Sequence, residues 1–197
     1  MGVGKYDPAV VFAGCRLVAV AVADTGREPP EPAEPVEIGL SLMDGGVVGE
    51  TRTWLVRPGR PITVWATKAH GITNRDVEQA PDIGAVADQI RAALADRIVV
   101  AHRGLHCHDL LASVLPGWVP PRVLDVRRLS VLAWPGTSQA LGSLTAQTRL
   151  TGVAGSPGRA GHDAPATAML FLAAAKQLNT SVARLFASAT VLEGQPR

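Results

Sequence analysis

The most informative hydrophobic pattern in the chain lies near its N-terminus, in the stretch Arg16–Gly26. From Leu17 to Val22 every residue is apolar, valine alternates with alanine, and neither glycine nor proline interrupts the run. A continuous apolar run of this kind is typical of a strand that is buried on both faces. The pattern therefore predicts the central strand of a sheet.

Two further strands are predicted directly after this one. They cover Val36–Met43 and Val47–Val56, and Asp44-Gly45-Gly46 forms the tight turn between them. The preceding stretch, Gly26–Pro35, is predicted to be an exposed loop because its prolines lack a backbone donor and restrict their neighbours. Three strands connected in this way form an antiparallel meander.

Helices and strands alternate in the rest of the chain, after a proline-punctuated loop over Arg57–Ala69. The first strand of this part is expected to join the sheet by a crossover, parallel to its neighbour. In chain order the predicted segments are a helix over Asp82–Ala95, a strand over Ile98–Ala101, a helix over His108–Leu115, a strand over Val123–Val126, a helix over Ser138–Leu150 capped by Ser138, a loop over Thr151–Gly161, a long helix over His162–Leu178, and a weakly helical, fraying tail over Asn179–Arg197.

Length and composition indicate one globular domain. The chain has 197 residues, of which 47% are hydrophobic and 18% are charged, and these values exclude a disordered or coiled-coil protein. We expect a domain over residues 1–180 followed by a C-terminal tail over 181–197. No apolar run reaches the roughly 20 residues that a membrane span requires, so we expect no membrane partner.

Charge and cysteine content narrow the function classes only slightly. The formal net charge is +2, which neither requires nor excludes a polyanionic partner. The two cysteines, Cys15 and Cys107, are too few for a disulfide framework or a zinc ribbon. A reducing, cytoplasmic location is therefore expected.

Several short motifs occur in one order between about Leu17 and Leu178, and together they resemble the DnaQ-like 3′–5′ exonucleases, the DEDDh branch of the ribonuclease-H-like fold. The resemblance implies an α/β fold with a mixed five-stranded sheet flanked by helices. The matching segments are Thr25-Gly26, Glu37-Ile38-Gly39, Arg57-Pro58-Gly59-Arg60-Pro61-Ile62, His70-Gly71-Ile72-Thr73, Val100-Ala101-His102, Leu124-Asp125 and Gly161-His162. The segment that begins at His70 is the most specific of them.

The four carboxylates that bind metal in this family are absent from the matching positions, which hold Ala21, Ala23, Cys107 and Thr167. Such nucleases hold two divalent metal ions between these acids. Mg²⁺ prefers oxygen ligands, which neither alanine nor a soft cysteine sulfur supplies. We therefore expect a catalytically degenerate domain without a cofactor. Mg²⁺ or Mn²⁺ is expected only under the alternative of an active exonuclease with rearranged ligands.

The resemblance assigns the position of the general base to His162, which this chain retains. Three aspartates lie near the lost acids. Asp24 has the wrong strand parity relative to position 23, and Asp109 is rotated about 200° from position 107 on a helix. Asp163 lies one turn before position 167 on the same helix face, which makes it a weak candidate metal ligand.

A zinc site is a further alternative, since histidine and cysteine are ligands that Zn²⁺ prefers. Adjacent residues cannot all face one ion, which counts against it. The residues in question are His102, His106, Cys107, His108 and His162.

Nucleic acid is the partner that the resemblance implies, in the form of a groove for a single-stranded DNA or RNA 3′ end. Trp65 is a candidate stacking surface. The groove residues are Thr25, His70, Gly71, Ile72, Thr73, His102 and Arg103. Candidate phosphate contacts are Arg57, Arg60, Lys68, Arg75, Arg103, Arg127 and Arg128. The remaining alternative is a scaffold that presents a surface around Trp118 and Trp134 to a protein partner.

Overall fold

The computed structural model describes residues 6–26 and 32–193. Among these residues, no helix is both long and apolar enough to cross a membrane. Part of the predicted loop Gly26–Pro35 lies outside the described residues. The elements are α1 (Pro8–Val11), β1 (Arg16–Asp24), β2 (Pro35–Asp44), β3 (Val47–Leu55), α2 (Val64–His70), α3 (Asn74–Val77), α4 (Ile83–Leu94), β4 (Ile98–Ala101), α5 (Gly104–Val114), β5 (Arg122–Asp125), α6 (Val126–Ala133), α7 (Leu141–Gln147), α8 (Ala160–Leu178), α9 (Val182–Ala189) and β6 (Thr190–Glu193).

The sheet has the strand order β3-β2-β1-β4-β5-β6, with β1 near its centre. β1 pairs antiparallel with β2, and β2 pairs antiparallel with β3. β4 lies parallel to β1 on its other side, and β5 lies parallel to β4. The predicted meander, the parallel crossover strand and the central position of β1 are thereby confirmed.

Helices cover both faces of the sheet, which explains the continuous apolar run of β1. Leu17 and Ala19 belong to one core cluster together with Phe171 of α8. Val18 and Val20, which alternate with them along the strand, belong to a second cluster built with α4 and α5. Successive side chains of a strand point to opposite faces, so each face of β1 needs its own apolar set.

The prediction of five strands is wrong, because the sheet has a sixth. β6 pairs antiparallel with β5, and its Leu192 lies opposite Val123. The prediction of a fraying tail is likewise wrong for residues 182–193. There Ser181 caps α9 by accepting a hydrogen bond from the Arg184 amide, and α9 buries Leu185 in the core before the chain enters β6.

The predicted loop Arg57–Ala69 contains a helix instead. Thr63 caps α2 through its side-chain oxygen, which accepts from the Ala66 amide at 3.1 Å. Gly71 ends the helix in the left-handed conformation, with φ = 76°. A threonine cap followed eight residues later by glycine is a recognisable helix signal, and the prolines before it masked the signal.

Among the other predicted helices, α5 and α7 differ most from the prediction in their limits. α5 begins at Gly104 rather than His108, because the Asp125 carboxylate accepts from the Gly104 amide at 2.9 Å. This cap comes from another strand and leaves no local sequence signal. α7 covers only Leu141–Gln147, and Ser138 does not cap it, since the N-cap position is Ala140.

The N-terminus of α8 is fixed to β2 by three groups, which we call the α8 anchor: Glu37, Gly39 and the pair Arg159–Ala160. Glu37 is 3% exposed, and its carboxylate accepts from Arg159 Nε at 3.1 Å and from the Ala160 amide at 2.6 Å. A methyl group at Gly39 would overlap the carbonyl oxygen of Ala160. The missing side chain therefore allows the close approach that places α8 across β1 and β2.

Candidate functional site

A cavity of about 300 Å³ lies at the C-terminal end of β1, and we call it the central cavity. Its walls are residues 20–24 of β1, the inner side of α2, four residues around the start of α5, the first residue of α7, and two residues of α8. The residues near α5 are His102, Arg103, His106 and Cys107, the residue of α7 is Leu141, and those of α8 are Asp163 and Thr167. The cavity therefore forms where the central strand ends and four helices converge on it.

The four positions that the sequence resemblance matched to metal-binding acids all line this cavity: Ala21, Ala23, Cys107 and Thr167. None of them supplies a carboxylate. Burial raises the pKa of the Cys107 thiol to about 12, and the thiol lies 3.9 Å from the His102 carbonyl oxygen. Thr167 is 1% exposed, and its Oγ1 has no hydrogen-bond partner among the described residues.

Asp24 lines the same cavity, although its strand parity predicted a side chain on the other face of β1 or at the turn. The β1–β2 register shifts between Ala23 and Asp24, and this irregularity breaks the alternation on which the prediction rested. The Asp24 carboxylate accepts from the Gly26 amide at 2.8 Å and contacts His106 Nε2 at 2.9 Å. Burial alone would raise the pKa of Asp24, but the hydrogen bonds from His106 and Gly26 outweigh it and hold the pKa below its ordinary value.

Asp163 also lines the cavity. Its Oδ1 accepts from the Gly158 amide at 3.2 Å and lies 2.9 Å from His162 Nδ1. His162, the predicted general-base position, is not among the residues that line the cavity, and its ring contacts the Asp163 carboxylate instead. Asp109 is exposed and bonds to the neighbouring His108, away from the cavity.

The remaining histidines are held by separate partners. His102 lines the cavity, its Nε2 lies 2.9 Å from the Gln139 carbonyl oxygen, and burial lowers its pKa. His108 packs against Trp118, with ring centroids 5.7 Å apart. Across residues 6–26 and 32–193, no three histidine, cysteine or acidic side chains form a group that could hold a metal ion. The zinc alternative has no support in this geometry.

The residues present also do not fit a centre of two divalent ions. Such a centre needs several oxygen ligands that converge on each ion. In the described part of the chain the cavity offers the carboxylates of Asp24 and Asp163, and each already contacts a histidine and accepts from a backbone amide.

The predicted groove residues divide into three groups, and the first lines the cavity. It contains His70, His102 and Arg103. His70 is buried and positions the end of β1, because its Nδ1 accepts from the Ile72 amide at 3.0 Å while its Nε2 faces the Asp24 carbonyl oxygen at 3.1 Å.

The second group is buried. Thr25 is fully buried and accepts from the Glu34 amide at 3.0 Å, and Ile72 packs in a small core cluster. The third group is exposed and contains Gly71, which ends α2, Thr73, which caps α3, and Trp65. Trp65 on α2 is 79% exposed, with Lys68 Nζ 5.7 Å from its ring centre.

Several of the predicted phosphate contacts are engaged within the protein. Arg57 forms a bidentate pair with Asp82, and Arg128 donates to the Thr190 carbonyl oxygen at 2.7 Å. Sequence reasoning missed the contact between His106 and Asp24, which joins α5 to β1 across 82 residues of sequence. No local pattern in the sequence indicates such a contact.

Known proteins with similar sequence or fold agree with this architecture. The chain is 27% identical over 165 residues to the 3′-5′ exonuclease DinG of Bacillus subtilis (strain 168). The matched region covers 80% of this chain but 17% of that relative. The chain thus spans about a sixth of that longer protein. Exonuclease X in complex with 5′ overhanging duplex DNA superposes with a TM-score of 0.70 at 22% identity, covering 87% of this chain and 98% of that one.

A second solved structure has the same fold. The nuclease domain of 3′hExo, described as a DEDDh family member bound to rAMP, gives a TM-score of 0.65 at 12% identity and covers 90% of this chain and 96% of that one. The sequence from residue 25 to 171, well over half of the chain, matches the RNase_T family, described as Exonuclease. The chain therefore belongs to this DnaQ-like exonuclease family, as an exonuclease-like domain related to 3′–5′ exonucleases.

Proposed function

We propose that this domain is a catalytically degenerate member of its family that binds single-stranded nucleic acid 3′ ends without hydrolysing them. One observation carries the proposal: Ala21, Ala23, Cys107 and Thr167 all line the central cavity, and none of them offers a carboxylate. Loss of a single acid is compatible with a change of ligand, but loss of all four removes the donor set on which two-metal hydrolysis depends.

Binding is supported by the surface around the cavity. Arg103 lines it, and Trp65 presents an exposed ring on α2, the helix whose inner side forms one wall. Base stacking on an aromatic ring beside a cationic groove is the usual way in which proteins hold single strands. Exonuclease X, which shares the fold, has been solved with DNA bound.

We also propose a cytoplasmic location for the protein. Both cysteines are free, which is in keeping with this proposal.

A second candidate is an active exonuclease with rearranged ligands, and one observation favours it. Asp24 and Asp163 both line the cavity, although neither occupies a family position. The scaffold alternative gains less, because Trp118 and Trp134 are only partly exposed and pack against the two main core clusters. The surface predicted around them is therefore not an open aromatic patch.

Digestion of 5′-labelled single-stranded DNA and RNA, in Mg²⁺ and in Mn²⁺, tests the proposal directly. We expect no shortening of either strand and no difference between the natural chain and the His162→Ala variant. Metal-dependent laddering from the 3′ end that disappears in Asp24→Asn and Asp163→Asn would establish the rearranged enzyme instead.

Competition between linear and circular single strands tests the preference for ends. A circle of matched length has the same charge but no 3′ end, so the linear strand should compete better. Binding should also weaken as salt rises, with log K falling in proportion to log salt, because phosphate contacts release counterions. Equal competition by the circle would contradict end recognition.

A further inference from the structure

We propose that the central cavity binds the last phosphodiester of a strand directly, through Arg103, His106 and the first turn of α5, without a divalent cation. This inference rests on the proposed function and specifies how the same site holds its ligand. In the family, metal ions neutralise both the phosphate and the acids around it. Here the acids are absent, so the charge that the metal would offset is also absent.

The charge distribution in the cavity supports direct binding. The four family positions are electrically neutral side chains. The two carboxylates that remain are each in contact with an imidazole, Asp24 with His106 and Asp163 with His162, at 2.9 Å. A third acid near the start of α5, Asp125, accepts from two backbone amides. An entering phosphate therefore meets carboxylates that already have hydrogen-bond partners.

Arg103 is the cation placed to meet it. Arg103 lines the cavity and is exposed, and among the described residues its guanidinium has no ion pair or hydrogen bond. By contrast, Arg57, Arg97 and Arg159 all form pairs with acids. Its backbone is left-handed, with φ = 72°, a conformation that residues other than glycine seldom adopt. Such strain is found where the surrounding structure holds a side chain in a required place.

The start of α5 adds backbone donors. Arg103 is the N-cap residue of this 11-residue helix, and the amide of Gly104 is taken by Asp125. The next amides, those of Leu105 and His106, lie in the first turn, where a helix has no carbonyl partners of its own and favours anions. His106 extends from the same turn into the cavity.

An independent observation indicates that the cavity is built for a polar ligand. Thr167 lines it from the opposite wall, is 1% exposed, and has a hydroxyl without a partner among the described residues. Buried hydroxyls in native proteins are rarely left unpaired because the loss is costly. A bound strand that accepts or donates at this hydroxyl would satisfy it.

Fluorescence anisotropy of a 5′-labelled single-stranded oligonucleotide tests the inference. We expect the affinity in EDTA to match that in Mg²⁺ at equal ionic strength. Arg103→Gln should weaken binding about tenfold, the value of one charge-assisted hydrogen bond. Arg91→Gln is the matched control, because Arg91 donates to the Pro116 carbonyl oxygen and neither residue lines the cavity. Its affinity should stay that of the natural chain.

Two further variants keep the test independent of folding defects. Thr167→Val preserves shape and should weaken binding while the protein stays folded, as judged by its circular dichroism spectrum. Ala21→Asp returns one carboxylate to the cavity and should make binding in EDTA weaker, with recovery on addition of Mg²⁺. Each variant thus has an expected change in affinity that a merely structural role would not produce.

The outcomes separate this inference from the proposed function. Binding that requires Mg²⁺, or equal affinities of Arg103→Gln and Arg91→Gln, would overturn direct phosphate binding while leaving strand binding intact. Absence of binding in every buffer, or metal-dependent digestion, would overturn the proposed function itself.

Discussion

The α8 anchor and the central cavity both include residues from the first turns of α8. They differ in how completely the buried polar groups have hydrogen-bond partners. In the anchor, the buried Glu37 carboxylate meets both Arg159 and the Ala160 amide. In the cavity, the Thr167 hydroxyl has no hydrogen-bond partner among the described residues, and Ala21, Ala23 and Cys107 supply no oxygen ligand. The contrast shows that the contacts that position α8 are separate from the side chains that line the cavity.

Gly39→Ala should break the anchor with the largest effect. The added methyl would overlap the carbonyl oxygen of Ala160, a backbone atom that cannot move alone. We expect the free energy of unfolding to fall by about 3 kcal/mol, the upper range for overpacking. Urea unfolding followed by circular dichroism measures it.

Gly84→Ala is the control for this change, since a methyl there meets nothing within 4 Å and Gly84 is the second residue of α4. In this first turn it should raise stability by less than about 1 kcal/mol, the gain of alanine over glycine in the middle of a helix. Equal behaviour of the two variants would show that α8 can move away from β2 at little cost.

Glu37→Gln should weaken the anchor less than the glycine change. The amide keeps the shape of the side chain but loses the charge that faces Arg159 and the Ala160 amide. Arg159 is 40% exposed, so water can solvate its guanidinium and reduce the loss. We expect about 2 kcal/mol of destabilisation, below the range for a fully buried pair, by the same urea measurement. No change in stability would mean that packing at Gly39 alone holds the helix.

Thr167→Val tests the cavity side of the comparison. It should raise the free energy of unfolding, whereas the anchor variants lower it. Removing an unpaired buried hydroxyl relieves its desolvation cost, and valine has nearly the same shape. We expect the unliganded protein to gain about 1 kcal/mol in unfolding free energy. A loss of stability would indicate that the hydroxyl is already paired in solution, for example through water.

Sequence patterns predicted most of the fold because the patterns that indicate its strands and turns are local in the sequence. The apolar run of β1 and the Asp44-Gly45-Gly46 turn each lie within a few residues, and both the meander and the parallel crossover are present. The sixth strand could not be predicted in this way, because β6 is a four-residue segment whose pairing depends on the exposed edge of β5.

The candidate site was predicted in place but not in detail. Motif spacing singled out Ala21, Ala23, Cys107 and Thr167, and all four line the central cavity because the surrounding segments fix their register. It failed at Asp24, because the irregularity in β1 turns the carboxylate into the cavity, and at His106, whose partner lies on another element. Contacts between distant elements leave no mark on local spacing.

The smallest expected effect, and the most specific to one side chain, is the pH dependence of folding stability that His102 contributes. His102 lies in the cavity and not in the anchor. Burial lowers its pKa in the folded protein. Below the ordinary histidine value of about 6.5, the unfolded chain therefore binds a proton that the folded chain resists. The contribution of neutral His102 to folding stability is therefore fully present above about pH 6.5, and it is lost as the pH falls below that value.

In His102→Gln the side-chain amide can still donate to the Gln139 carbonyl oxygen, as the imidazole Nε2 does, but it does not titrate. Thermal unfolding between pH 7 and 5 should therefore show a smaller loss of stability in the variant than in the natural chain. The lowered pKa of Asp24 acts separately, since its contribution is lost only as the pH falls below the ordinary aspartate value of about 3.9. Parallel curves for the two proteins between pH 7 and 5 would remove His102 as the source and return the pH dependence to other groups.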